Sequence, residues 1–148
     1  MIKFFDIPKQ DKKYKNNIIK KISRIINSSD FINGQDVKKF ENSFAKFCSA
    51  KYCASVGNGT DALIIALKSL NLQKNDEVII PAMTWKSTLL APLNLNLKTK
   101  LVDVGINSSN FDLNDLKKKI TKKTKVIIAV HLYGNPIDFK EIKKIIGN

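Results

Sequence analysis

The rhythm of apolar and polar positions changes near residue 51. Before it, the spacing is helical. Ile18, Ile19, Ile22, Ile25 and Ile26 recur along residues 12–27 with lysines on the opposite face, which predicts an amphipathic helix. Ser28-Ser29-Asp30 ends it, and Phe31-Ile32-Asn33-Gly34 links it to a second helix opened by Asp36. There Val37, Phe40, Phe44 and Phe47 form an apolar stripe of the kind that builds a core. Residues 1–11 read as extended and irregular.

From Lys51 onward, short β-branched runs alternate with helical ones. Strands are expected at 52–56, 78–80, 101–104 and 126–130, apolar on both faces as in buried parallel strands. Helices are expected at 63–70, where Leu63, Leu67 and Leu70 stand at i, i+4 and i+7, in a segment beginning near Thr84, at 113–120 and at 139–146. The last carries a capping box, Asp138 with Glu141 three residues on. Pro92 conflicts with the segment from Thr84, so a short or bent element is expected there. The alternation predicts an α/β fold, a doubly wound and mainly parallel sheet with flanking helices. An N-terminal helical segment would occupy residues 1–50 and the α/β domain residues 51–148. Gly147-Asn148 looks like a C-cap leading into another strand. The chain is therefore expected to be the N-terminal part of a larger protein, with its α/β domain truncated at the C-terminus.

The net charge of +13 raises nucleic-acid binding as a question. The basic residues are almost all lysine, Arg24 being the only arginine, and no aromatic residue interleaves with the densest lysine run, residues 117–125. That argues against base or phosphate-fork readout. The densest run, Lys117-Lys118-Lys119 with Lys122, Lys123 and Lys125, falls at a helix end, where lysine suits the dipole and the solvent. Cys48 and Cys53 are spaced as neither a redox pair nor half of a common zinc site, and read as reduced thiols. Asp6 and Pro8 interrupt any apolar leader, and no run approaches the ~20 residues of a membrane span. A cytoplasmic protein is expected, with no metal.

In open α/β sheets, ligands gather beyond the carboxyl ends of the strands. Gly57-Asn58-Gly59-Thr60-Asp61-Ala62-Leu63 joins the expected 52–56 strand to a helix N-terminus. Bare backbone, unpartnered first-turn amides and the helix dipole make such a turn a natural phosphate cradle. A plain strand–turn–helix connection would use the same glycines for geometry. On the same rim fall Trp85, which is either a core residue or an indole platform for a flat ring, and His131, which is either structural or chemical. For Asp103 the plainer reading is a cap on its own loop. Together these residues point to a flat, phosphorylated cofactor.

The same residues resemble the DegT/StrS nucleotide-sugar aminotransferases. The likeness runs from Phe31-Ile32-Asn33-Gly34, Phe40-Glu41 and Phe44-Ala45 through the Gly57 to Leu63 turn. It continues in Asp76-Glu77-Val78-Ile79-Ile80-Pro81, Thr84-Trp85, Val102-Asp103-Val104, Thr124-Lys125-Val126-Ile127 and His131-Leu132-Tyr133-Gly134, with Pro136 beyond. The resemblance implies the N-terminal part of the large domain of a fold-type-I enzyme that binds pyridoxal 5'-phosphate. It implies that Gly59, Thr60 and Asp61 hold the cofactor phosphate through backbone amides and the Thr60 hydroxyl, that Trp85 stacks on the ring, and that His131 lies near it. It implies amino transfer from glutamate to a nucleotide-linked keto sugar, in a homodimer serving polysaccharide biosynthesis. The acidic partner of the ring nitrogen and the Schiff-base lysine would lie beyond Asn148, so no lysine here is assigned to catalysis. A sugar dehydratase of the same family, a non-catalytic phosphate binder and an electrostatic nucleic-acid binder are the competing readings.

Overall fold

The computed structural model describes Phe4, residues 11–106 and residues 108–147. Most of the irregular 1–11 segment, and Asn148, lie outside the described residues. The chain divides into two compact units, Met1–Ser55 and Val56–Asn148.

The first unit is a helical pair, α1 (Lys15–Ser28) and α2 (Gln35–Phe47). Ser29 ends α1 in the left-handed region at φ 52°, returning its N–H to the carbonyls of Ile25 and Ile26. The connection is closed by Asp30, whose carboxylate accepts the Gln35 N–H at 3.0 Å. Gly34 must be glycine for this: a Cβ there would sit 2.6 Å from Asp30 Cγ. An ion pair between Arg24 and Asp36 ties the two helices together. After α2, Glu41 accepts both the backbone N–H and the hydroxyl of Ser55, at 2.8 and 2.7 Å. Those two bonds hold its carboxyl below its usual range.

The second unit carries α3 (Gly59–Ser69), β1 (Glu77–Pro81), α4 (Lys86–Asn94), β2 (Lys98–Val102), α5 (Leu113–Lys119), β3 (Thr124–Ile127) and α6 (Phe139–Ile146). The three strands pair in parallel in the order β2-β1-β3, with Ile79 level with Lys100 on one side and Ile127 on the other. Every residue of β1 is buried. Side chains alternate across a strand, so Ile79 enters one layer and its neighbours Val78 and Ile80 the other. Ile79 packs with Val102, Phe111, Leu116 of α5, Ile137 and Ile142 of α6. Val78 and Ile80 pack with Leu67 of α3, Ala91 of α4 and Leu97. The doubly covered parallel sheet is as the sequence predicted.

One expected strand is absent. Residues 52–56 form no strand; their Ser55 amide is satisfied by a side chain, not by a neighbouring strand. Apolar composition signals burial, but a strand exists only where a partner supplies the ladder. The other strands shift: the 101–104 expectation is met three residues earlier, and β3 spans 124–127, not 126–130. Ile128 still donates its N–H to the Ile79 carbonyl at 2.8 Å, extending the pairing past the regular strand. The helix expected from Leu63 begins at Gly59, so the glycine turn is itself the first helical turn. Pro92 is accommodated in the nine-residue α4, which ends two residues later. Its ring is fully buried, and its carbonyl accepts from both Leu95 and Leu97.

At the amino end of β1, Glu77 is a polar residue only 4% exposed. Its carboxylate takes Lys100 Nζ at 2.8 Å and the Thr121 hydroxyl at 2.6 Å, joining β1 to β2 and to the turn before β3. Lys100 also donates to the Lys119 carbonyl at the end of α5. The Lys100 hydrogen bond, followed by that of Thr121, lowers the Glu77 carboxyl to about 2 against the opposing effect of burial. A folded value below the unfolded one, about 4.3, means that the unfolded chain binds the proton more readily. The stabilisation is thus complete above the unfolded value and is lost as pH falls through the folded one. Glu77→Gln should lower the thermal midpoint at neutral pH, and the gap to the unsubstituted chain should narrow as pH drops from about 5 to about 2. A gap that stays constant over that range would place the loss in packing rather than in charge.

Candidate functional site

The site is built from two helix N-termini that meet beyond the carboxyl end of β1. The first opens α3. Asn58 is its N-cap in extended backbone; its Oδ1 accepts the Asp61 N–H at 3.0 Å, and its Nδ2 donates to Asp61 Oδ2 at 2.9 Å. This reciprocal cap turns the Asp61 carboxylate back toward Gly57, where an added Cβ would come within 3.1 Å of it. The Ala62 amide goes to the Asn58 carbonyl. Of the first-turn amides, those of Gly59 and Thr60 are left without a partner among the described residues. The Asp61 amide, expected from the resemblance to face a phosphate, is instead used up by the cap.

Gly59 tests whether this opening suits an anion. Its φ is not in the left-handed region, and a Cβ added there meets nothing within 4 Å. Neither backbone strain nor packing inside the chain calls for glycine at this position. What its bareness provides is close access to two amides at the positive end of a helix, the surroundings a phosphate monoester needs.

The second N-terminus opens α4, which leaves β1 through 82–85. Trp85 is the N-cap residue, with no side-chain cap of its own and 70% of its surface exposed. An indole buried in a core would not stand so far out, so the core reading of Trp85 is not met. Two residues on, Ser87 Oγ accepts the hydroxyl of Thr60 at 2.8 Å. That bond joins the two helix openings at one corner. Beside it, the Thr84 and Thr88 hydroxyls meet at 2.9 Å, with Thr88 buried.

Parallel register carries the other candidates to the same edge. Pro81 is level with Val102, and Ala82 donates to the Val102 carbonyl at 2.7 Å, so Asp103 follows directly beyond it. The Asp103 carboxylate accepts the Val104 N–H at 2.8 Å, its amide goes to Asp115, and its carbonyl accepts from Asp112. Asp103 is thus the loop cap anticipated as its plainer reading. His131 follows the extension of β3. Its Nδ1 accepts the Ile137 N–H at 3.0 Å, which places the proton of the neutral ring on Nε2. Phe139 meets the ring edge-on, with centroids 5.7 Å apart. His131 therefore shapes the bend before α6, where Tyr133 and Gly134 both have positive φ. Among the described residues, no hydrogen bond or ring contact joins it to the Thr60 and Ser87 corner.

Sequence reasoning missed Asn58 as a cap and Ser87 altogether. The Asn-x-x-Asp spacing was a readable capping signal. The hydroxyl-rich run Thr84, Ser87 and Thr88 around a helix start was readable as well, but only folding shows which hydroxyl meets Thr60. No helix among the described residues is long and apolar enough to cross a membrane.

With this geometry in place, likeness to known proteins becomes informative. Residues 12–148 match the DegT/DnrJ/EryC1/StrS aminotransferase family. A dTDP-3-amino-3,6-dideoxy-alpha-D-galactopyranose transaminase from Aneurinibacillus thermoaerophilus is 37% identical over 145 residues, covering 98% of this chain and 40% of that protein. The chain thus spans about two fifths of that relative. Among solved structures, S. venezuelae DesV in complex with a ketimine intermediate superposes with a TM-score of 0.90 at 28% identity, covering 97% of this chain and 39% of DesV. The E. coli GDP-4-keto-6-deoxy-D-mannose-3-dehydratase with bound hydrated PLP gives 0.81 at 36% identity, covering 99% and 37%.

The cap is open to a direct check. Asn58→Ala should cost about 1 kcal/mol of stability in a denaturant titration, and Asn58→Ser should recover most of it. Equal losses for the two substitutions would show that the side-chain oxygen is not what holds the turn.

Proposed function

The chain belongs to the DegT/DnrJ/EryC1/StrS aminotransferase family, and from that membership we propose that its α3 and α4 openings hold pyridoxal 5'-phosphate in an enzyme that moves an amino group from glutamate to a nucleotide-linked keto sugar. The observation that carries the reading is the Thr60–Ser87 bond, because it draws the phosphate-suited turn and the exposed indole to one corner. The amides of Gly59 and Thr60 bind the phosphate, and Asp61 fixes the shape of the turn through Asn58. Trp85, exposed at the opening of α4, would pack against the ring and exclude water from one of its faces. His131 supports the wall of the site through the Ile137 amide, with its Nε2 proton available to a polar group of the ligand.

When bound, the cofactor supplies an electron sink for the carbon bearing the amine, and the protein's part is to orient it. The residues described here perform that orientation. The lysine that would hold the cofactor covalently is assigned to sequence beyond residue 148, and with it the partner of the ring nitrogen. In this reading the complete enzyme is a cytoplasmic homodimer working in amino-sugar and cell-surface polysaccharide biosynthesis.

Dehydration of a keto sugar by the same cofactor is the second reading. It draws on the likeness to a GDP-sugar 3-dehydratase at 36% identity, level with the 37% shared with the transaminase from Aneurinibacillus thermoaerophilus. The two reactions are separated by assaying the complete polypeptide with glutamate and a GDP-linked or dTDP-linked 4-keto sugar. Recovery of an amino sugar supports the first reading, and loss of a sugar hydroxyl without net amination supports the second.

Trp85, the chain's single tryptophan, is a ready reporter of the binding step. Titration with pyridoxal phosphate should quench its fluorescence saturably, and inorganic phosphate should compete. In equilibrium dialysis, which does not need the indole, Trp85→Phe should bind within about twofold of the unsubstituted chain, whereas Trp85→Ala should bind about two- to tenfold more weakly, as a lost aromatic contact of about 0.5–1.5 kcal/mol implies. A quench that never saturates and ignores phosphate would overturn the assignment of this corner.

A further inference from the structure

The N-cap position of α4 is filled by a residue that cannot cap. Serine, threonine, aspartate and asparagine are favoured there because a side-chain oxygen can take a first-turn amide. Trp85 offers no such oxygen, makes no cap bond and stands 70% exposed. We propose that Thr88, acting with Thr84, is the positioning residue that takes over the work of the cap and fixes the exposed indole. The inference rests on the reading of Trp85 as the surface that meets the cofactor ring, and names what holds that surface in place.

Thr84 and Thr88 flank Trp85 in sequence, and their hydroxyls meet at 2.9 Å. Thr88 also donates its N–H to the Trp85 carbonyl at 3.0 Å. One residue thus grips Trp85 through the backbone and its predecessor through a side chain. The bond holds the backbone whichever hydroxyl donates. Both contacts act at the root of the indole and leave its faces open. Thr88 is only 4% exposed, so its hydroxyl cannot turn to water if Thr84 lets go. A buried hydroxyl without a partner is costly, and the closed arrangement is therefore strongly preferred.

The consequence concerns geometry. Contact between aromatic rings depends on their offset and tilt. An indole swinging on a loose backbone would meet a flat ligand in many poses, and ordering it would weaken binding. One held before the ligand arrives loses less freedom on contact.

The test uses the complete polypeptide carrying this sequence, labelled with 5-fluorotryptophan, with the Trp85 fluorine resonance identified by its loss in Trp85→Phe. Thr88→Val keeps the shape and removes the hydroxyl. It should shift or broaden the Trp85 resonance without any cofactor present. In equilibrium dialysis it should weaken pyridoxal phosphate and pyridoxal alike, by about threefold, a part of the aromatic contact. Thr88→Ser should restore both readouts. In a Trp85→Ala background Thr88→Val should cost nothing further, because the residue it positions is gone. Thr84→Val removes the same bond from the less buried side and carries the same expectations if Thr88→Val fails to fold. The proposal is overturned if the Trp85 resonance is unmoved, or if the loss of affinity is as large without the indole as with it. If the unsubstituted protein binds neither probe, the cofactor reading fails instead, and the fluorine spectra still decide whether Thr88 fixes the indole.

Discussion

The complete burial of β1 is the constraint on which the second unit depends. As the middle strand of three, it pairs with both neighbours and is roofed by helices on both faces. Val78, Ile79 and Ile80 are among the largest side chains with no exposure, and they divide between the two layers. Such a strand tolerates little movement, because packed interiors deform poorly. Whatever leaves its carboxyl end starts from a fixed point. Here that is the segment leading to Trp85 and α4.

The consequences for the site follow from register. Parallel pairing brings the carboxyl ends of β1, β2 and β3 to one edge, and α3 returns its own N-terminus to the same place. Two helix openings then face a shared corner, with hydroxyls between them and bare backbone at Gly59. Such a corner suits a doubly charged, three-oxygen group better than a carboxylate, because amides and a hydroxyl can converge on it from two directions. His131 and Asp103 occupy the same edge but are engaged elsewhere, one with Ile137 and the other with its own loop.

Much of this was legible in the residues. The doubly apolar β1 and the helix at 139–146 with its Asp138 cap are local signals, and these survive translation into structure. Partners were not legible. Residues 52–56 look like a strand by composition and lack one by pairing, and the shift of β2 toward Lys98 brings two lysines into a strand that apolar counting passes over. The aliphatic stems of those lysines can lie along a sheet while their heads reach solvent or, for Lys100, Glu77. The corner itself was half visible: the glycine turn at a helix start could be read, whereas Ser87 depends on a contact across 27 positions of sequence. Only the arrangement of α3 against α4 could produce it.

The position of Glu77 has a broader implication. Its knot with Lys100 and Thr121 fastens the amino ends of the strands, and the Thr60 and Ser87 corner lies beyond their opposite ends. The clasp and the corner are thereby housed at separate poles of one sheet. The loops around that corner can change in sequence without loosening the clasp that keeps the strands aligned.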